Sequence, residues 1–224
     1  MVSAAARRRV EAAWRGTGRW LARLHAQRSA PGASPTRVSS LADEILVRVD
    51  RWEAADPAGA ALAAETRLAV RSAVGQAAGR AVHLALCHGD VTPGNIFVHG
   101  EQVGLLDLDD LRVDLPALDL SQARLAIEEF GHLGLPALAG RRARTTAWLR
   151  ALAEGYGRPL PDGPEYWLPH LRNLVVYLLT LAPQRTGAGA GRLAAELRYR
   201  RLAHELGATL SDVQRGRASW RRDS

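Results

Sequence analysis

Between residues 81 and 107 the apolar residues of this chain stop recurring at helical spacing and gather into short runs broken by glycine. Ala81-Val82-His83-Leu84-Ala85-Leu86-Cys87, Asn95-Ile96-Phe97-Val98-His99 and Val103-Gly104-Leu105-Leu106-Asp107 are too short for helices and read as strands around turns. The text on either side is helical in period. Ala4 to His25 carries Val10, Trp14, Leu21 and Leu24 at near-helical spacing with Gly16 and Gly18 as a weak point, so a helix is predicted from about Thr17 to His25 with room for another turn or two before it, and Ser29 to Pro35 is a loop by composition. Leu41–Trp52 and Ala60–Ala78 read as two helices separated by Asp56-Pro57. Further helices fall at about 119–130, 140–156, 163–182 and 190–206, followed by a polar, Arg-rich tail. The pattern predicts an α+β fold, a mostly helical body with a small β insert. Its expected divisions are an N-terminal helical extension at 1–16, the body at 17–208 and the tail at 209–224.

With 224 residues, 47% apolar and 24% charged, the chain can bury a core, and its composition excludes wholesale disorder and collagen-like repeats. Cys87 is its one cysteine, so neither an internal disulfide nor a zinc site of several thiolates can form. A lone thiol fits the reducing cytoplasm. No apolar run approaches the roughly 20 residues of a membrane span, and Met1 leads to Arg7-Arg8-Arg9 without the apolar stretch of a signal peptide, so the expectation is a soluble cytoplasmic protein with no membrane partner. The net charge of +7 suggests a polyanion partner until the 30 basic residues are inspected, because every one is Arg. Arginine without lysine, together with abundant alanine, points to the codon bias of a GC-rich genome. The Arg clusters then read as solvated faces, and nucleic acid is not the favoured partner. The same fact removes lysine from every catalytic role.

The chemistry-bearing residues lie in the β insert, in His88-Gly89-Asp90-Val91-Thr92-Pro93-Gly94-Asn95 and Leu105-Leu106-Asp107-Leu108-Asp109-Asp110. A loop carrying Gly89, Pro93 and Gly94 between apolar runs holds Asp90 and Asn95 in non-regular geometry, where catalytic groups tend to lie. Asp107 and Asp109, at the end of the next apolar run, offer the hard oxygen ligands that Mg²⁺ prefers; two positions apart they would share a strand face, although a turn is expected there. Gly187-Ala188-Gly189-Ala190-Gly191 has no preceding strand and no following Lys, so it reads as a helix connection and not as a phosphate loop.

Asp90, Asn95 and Asp107 resemble the signature of the aminoglycoside phosphotransferase and choline kinase-like family, relatives of the protein kinases. Pro116 and Asp119-Leu120 stand at the family's separations, and Gly18-Arg19-Trp20-Leu21-Ala22-Arg23-Leu24-His25 resembles the helix that precedes its catalytic loop. Asp114-Leu115-Pro116 departs from the frequent Gly-Asp-Pro. The resemblance implies that residues 17–208 are a kinase-like C-terminal lobe. It implies an alcohol-directed transferase that uses ATP or GTP with Mg²⁺ to phosphorylate a small-molecule hydroxyl. Asp90 would be the catalytic aspartate, Asn95 and Asp107 the metal ligands with Asp109 as a further one, and His88 and Asp119 the supports of the loop. The nucleotide-binding residues are not identifiable. Relatives begin with a β-rich N-terminal lobe carrying a phosphate-binding Lys, so a separately encoded N-lobe is an expected partner and activity of this chain alone is in doubt. Two other readings stay open on the sequence: an inactive kinase-like remnant or binding module, and a basic nucleic-acid-binding helical protein.

Overall fold

A computed structural model of the chain describes residues 3–27, 35–78, 82–133, 141–158, 160–161, 163–186 and 189–216. The elements run α1 (Ala4–Leu24), α2 (Pro35–Ala55), α3 (Ala60–Ala77), β1 (Ala85–Cys87), β2 (Ile96–His99), β3 (Gln102–Leu105), β4 (Arg112–Asp114), α4 (Ala117–Leu133), α5 (Arg141–Tyr156), α6 (Pro164–Leu181) and α7 (Ala190–Arg215). The fold is α+β and mostly helical. It divides into a unit made from Met1–Pro31 and His83–Leu160 and a unit made from Gly32–Val82 and Pro161–Arg222.

In the first unit, α1 packs along α5. The glycines that read as a weak point are contact positions instead. A Cβ on Gly18 would stand 2.2 Å from the Leu152 carbonyl oxygen, and one on Gly155 would stand 2.0 Å from that of Arg15. Their missing side chains let the two backbones touch, and α1 runs unbroken through Gly16 and Gly18 from Ala4, which joins the expected N-terminal helical extension to the helix expected from Thr17. Ser3 caps it, its hydroxyl accepting from the Ala6 amide at 3.1 Å. Trp14, Leu21 and Leu24 bury its inner face.

The strands form two antiparallel pairs. β2 and β3 make a hairpin with Ile96 opposite Leu105 and Phe97 opposite Gly104, whereas β1 pairs with β4, Ala85 opposite Asp114 and Cys87 opposite Arg112. β4 was not predicted, because three residues, Arg112-Val113-Asp114, carry too little alternation to be read before their partner is known. α4 is buried nearly all round, at Leu118, Leu120, Ala123, Leu125 and Ile127. It is therefore a rigid support for whatever its first turn touches.

The second unit is helical. Leu41, Ile45 and Trp52 of α2, Ala63 and Val70 of α3, Leu171 and Leu174 of α6, and Leu202 and Leu206 of α7 are buried. α7 continues past residue 206 to Arg215, because Leu206, Leu210 and Val213 keep one face apolar and buried. Helix thus replaces the first part of the expected polar tail. Asp56 ties this unit together, accepting from the Tyr199 hydroxyl and from Arg185 Nη1 at 2.6 Å. Of the sequence readings, the loop at Ser29–Ser34, Gly187-Ala188 and the end of the tail from residue 217 lie outside the described residues. Among the described residues no helix is long and apolar enough to cross a membrane.

Candidate active site

β1 delivers the chain into the loop that carries Asp90, and the first turn of α4 receives it. Asp119, fully buried, accepts from the His88 amide at 2.7 Å through Oδ2 and from the Gly89 amide at 2.9 Å through Oδ1. A carboxylate in the first turn of a helix also lies favourably in the helix dipole. Its Oδ2 takes a third bond, 3.0 Å from His25 Nε2, and His25 Nδ1 lies 3.0 Å from the Tyr156 hydroxyl. Burial raises the Tyr156 hydroxyl to about 12. A carboxylate oxygen only accepts, so His25 Nε2 donates to Asp119 Oδ2.

His25, Cys87 and Asp119 bring their ligand atoms within 4.8 Å of one another. The cluster is a hydrogen-bonded core and not a metal centre. Both ring nitrogens of His25 and both oxygens of Asp119 are engaged, and burial, followed by the charges of Asp119 and Asp114, pushes the Cys87 thiol far up.

His88 is buried and links the loop to the end of β3. Its Nδ1 accepts from the Asp90 amide at 3.3 Å, so Nε2 carries the proton toward the Leu106 carbonyl at 3.0 Å. Gly89 has φ of +88°, and a Cβ there would lie 2.5 Å from the Asp110 carbonyl oxygen. Both facts demand glycine. Asp90 is half-buried, and Asn95 Nδ2 donates to its Oδ2 at 2.8 Å and to its carbonyl at 3.1 Å. Asp90 Oδ1 and Asn95 Oδ1 carry no hydrogen bond among the described residues. The Leu106 amide donates to the Asn95 carbonyl at 2.8 Å, which sets Asn95 next to the strand end that leads to Asp107.

Asp107 is exposed and has φ of +62°, the one positive φ outside glycine among the described residues. Asp tolerates this region better than most residues, and such outliers concentrate at functional sites. The chain turns here as expected, so Asp109 shares no strand face with Asp107. β3 ends at Leu105, and Leu108 to Leu111 form a turn closed by a 3.1 Å bond from the Leu111 amide to the Leu108 carbonyl, which leaves Asp109 exposed within the turn. The carboxylates of Asp90, Asp107 and Asp109 do not all come within 4.8 Å of one another, as the ligand atoms of His25, Cys87 and Asp119 do. Gln122, which the sequence reading passed over, touches the loop directly: Nε2 donates to the Gly89 carbonyl at 2.8 Å and Oε1 accepts from the Val91 amide at 3.1 Å. Its only signal in the sequence is a position three residues after Asp119, on the same helix face.

Residues 3–169 match the phosphotransferase enzyme family (APH). The chain belongs to this phosphotransferase enzyme family. Solved structures with the same fold include a candidate aminoglycoside phosphotransferase from Ralstonia eutropha, at TM-score 0.58 and 15% identity, covering 92% of this chain and 66% of that one. A choline/ethanolamine kinase family protein from Mesorhizobium loti gives 0.54 and 17%, covering 94% and 69%. An aminoglycoside phosphotransferase from Alicyclobacillus acidocaldarius gives 0.53 and 19%, covering 92% and 66%. This member of the family therefore spans about two thirds of the length of the structures it matches. No curated protein sequence matches it.

Proposed function

We propose that this chain carries the catalytic floor of a phosphotransferase that moves the γ-phosphoryl group of ATP or GTP to an alcohol hydroxyl of a small molecule. The observation that carries the reading is Asp90 paired with Asn95 on a loop pinned by Asp119, in a chain of the phosphotransferase enzyme family. Asp90 Oδ1 is unengaged and able to accept or orient the hydroxyl proton of an acceptor. Asn95 holds Oδ2 in place, and His88 and Asp119 hold the backbone behind it.

The donor set fits Mg²⁺, the metal that the family implies. Asn95 turns its amide nitrogen to Asp90 and leaves Oδ1 free, and Asp107 is an exposed carboxylate at the adjoining strand end, so the groups on offer are the hard oxygens this ion takes. Asn95 and Asp107 would hold it, with Asp109 in the neighbouring turn as a further ligand. Bound there, Mg²⁺ supplies positive charge against the phosphates.

The hairpin offers an apolar surface beside these groups. Phe97, stacked on His99 at 6.5 Å between ring centroids, stands opposite Gly104, where a Cβ would meet nothing within 4 Å, and Leu106 follows two residues on. Phe97 and Leu106 are 52% and 53% exposed. We assign this face to the nucleotide base. About a third of the Ralstonia and Alicyclobacillus structures has no counterpart in this chain. We propose that a β-rich lobe, on the same or a separate polypeptide, covers the nucleotide and brings the lysine that this chain lacks. A cytoplasmic setting, where ATP and Mg²⁺ are at hand, goes with this reading.

Mn²⁺ as a paramagnetic reporter tests the site. ATP is expected to strengthen Mn²⁺ binding by the parent chain by an order of magnitude or more, since such ions share phosphate oxygens with the protein. Asn95→Ala and Asp107→Ala should each remove that ATP-dependent gain. A titration that neither variant changes would overturn the assignment.

A further inference from the structure

The structure assigns Gln122 a task that no residue of the loop itself performs: it fixes both peptide groups that flank Asp90. In the peptide joining Gly89 to Asp90, the carbonyl accepts from Gln122 Nε2 at 2.8 Å and the amide donates to His88 Nδ1 at 3.3 Å. In the peptide joining Asp90 to Val91, the amide donates to Gln122 Oε1 at 3.1 Å and the carbonyl accepts from Asn95 Nδ2 and from the Thr92 amide at 3.0 Å. Gln122 thus grips the main chain on each side of the carboxylate with one side-chain amide. Asp119, one turn earlier on α4, holds the amides of His88 and Gly89. Residues three apart share a helix face, so a single turn of a buried helix binds the backbone from His88 to Val91.

The chemistry requires a primary amide of this length. The grip needs one donor and one acceptor side by side. An ionised Glu offers only acceptors, Arg only donors, and Asn is a methylene shorter. The grip also meets a local weakness. Gly89, at φ of +88°, has no Cβ to resist rotation of the peptide that leads into Asp90, and glycine populates both signs of φ readily. Gln122 is 8% exposed, so its bonds are shielded from competing water and costly to leave unmade. On the phosphotransfer reading above, on which this consequence rests, Gln122 is a positioning residue: it aims Asp90, and it aims Asn95 through the Asp90 carbonyl that Asn95 grips.

Amide exchange in the 224-residue chain, residue by residue, separates this role from general support. In Gln122→Met, which keeps the length and removes both polar atoms, the Val91 amide should exchange about tenfold faster or more, the scale of one lost buried hydrogen bond. The His88 and Gly89 amides, held by Asp119, should stay within about twofold. In Gln122→Glu, which retains an acceptor for Val91 but sets an oxygen against the Gly89 carbonyl, Val91 should remain protected. Mn²⁺ affinity in the presence of ATP should fall severalfold in both variants, although neither touches a proposed ligand. Val91 exchange within about twofold of the parent in Gln122→Met would overturn the grip, as would equal acceleration at His88, Gly89 and Val91. If Asn95→Ala and Asp107→Ala both leave Mn²⁺ binding in the presence of ATP unchanged, the phosphotransfer reading fails, while the exchange rates still decide the grip.

Discussion

The two arms of the candidate site are built in opposite ways. From His88 to Val91 the backbone amides are bonded to Asp119, His88 or Gln122, and Asn95 closes the loop from its far end. From Asp107 to Asp110 the chain is exposed, begins at a positive φ and turns at Leu108–Leu111 with little side-chain support. A group that must accept a proton at one point gains from being held before substrate arrives. Carboxylates that face a hydrated cation need only be near, since the ion and the phosphates complete the geometry. The difference teaches that the proton-accepting side of this site is preformed and the metal side is open.

Substitutions should separate the arms. The largest expected effect is on catalysis in a preparation that transfers phosphate: Asp90→Asn should lower turnover by roughly 10²–10⁴. Its stability should stay within about 0.5 kcal/mol of the parent, because the amide oxygen can still accept from Asn95. Rates and denaturation curves together check this, and a variant with near-parental turnover would remove Asp90 from its role. Asp119→Ala should strike the fold instead. It strands the amides of His88 and Gly89 and the His25 ring in a buried setting, at about 1–3 kcal/mol for each lost partner. Denaturant unfolding should show a total loss of about 3 kcal/mol or more; a loss below about 1 kcal/mol would mean that the loop is held by something else.

On the open arm the sign should reverse. Asp107→Gly relieves a non-glycine residue at φ of +62° and should leave stability unchanged or raise it by up to about 1 kcal/mol, while ATP-dependent Mn²⁺ binding is lost. Clear destabilisation in the unfolding curve would show that Asp107 has structural work as well. Asp109→Ala should be the mildest, within about 0.5 kcal/mol in stability. Its effect on Mn²⁺ affinity should be smaller than that of Asp107→Gly, and an equal effect would make the two aspartates equivalent ligands.

How far the sequence discloses this molecule follows the same division between local and distant causes. The loop from His88 to Asn95, the strand end at Asp107 and the helix opening at Asp119-Leu120 are legible because their turn residues and apolar runs are local. The helices are legible wherever a face repeats, and α7 could have been followed to Val213 on Leu206 and Leu210. What escaped depends on partners far along the chain. Gly18 looks like a break until Leu152 and Tyr156 lie against it. Arg112-Val113-Asp114 becomes a strand only beside Ala85–Cys87. Gln122 looks like any polar residue on a helix until Gly89 and Val91 arrive at its amide. Spacing alone would set Asp109 on a strand face with Asp107, but the turn expected after Asp107 is there, closed by the bond from the Leu111 amide to the Leu108 carbonyl.

Amide exchange across both arms, with and without Mn²⁺ and ATP together, tests the contrast between a preformed base and an open metal side most directly. The account predicts that the amides of His88, Gly89 and Val91 are protected in the free chain and change little on addition. Those of Asp107 to Asp110 should exchange fast in the free chain and slow only when metal and nucleotide are both present. Fast exchange at His88, Gly89 and Val91 in the free chain, or no response at Asp107 to Asp110 to the two ligands, would contradict it.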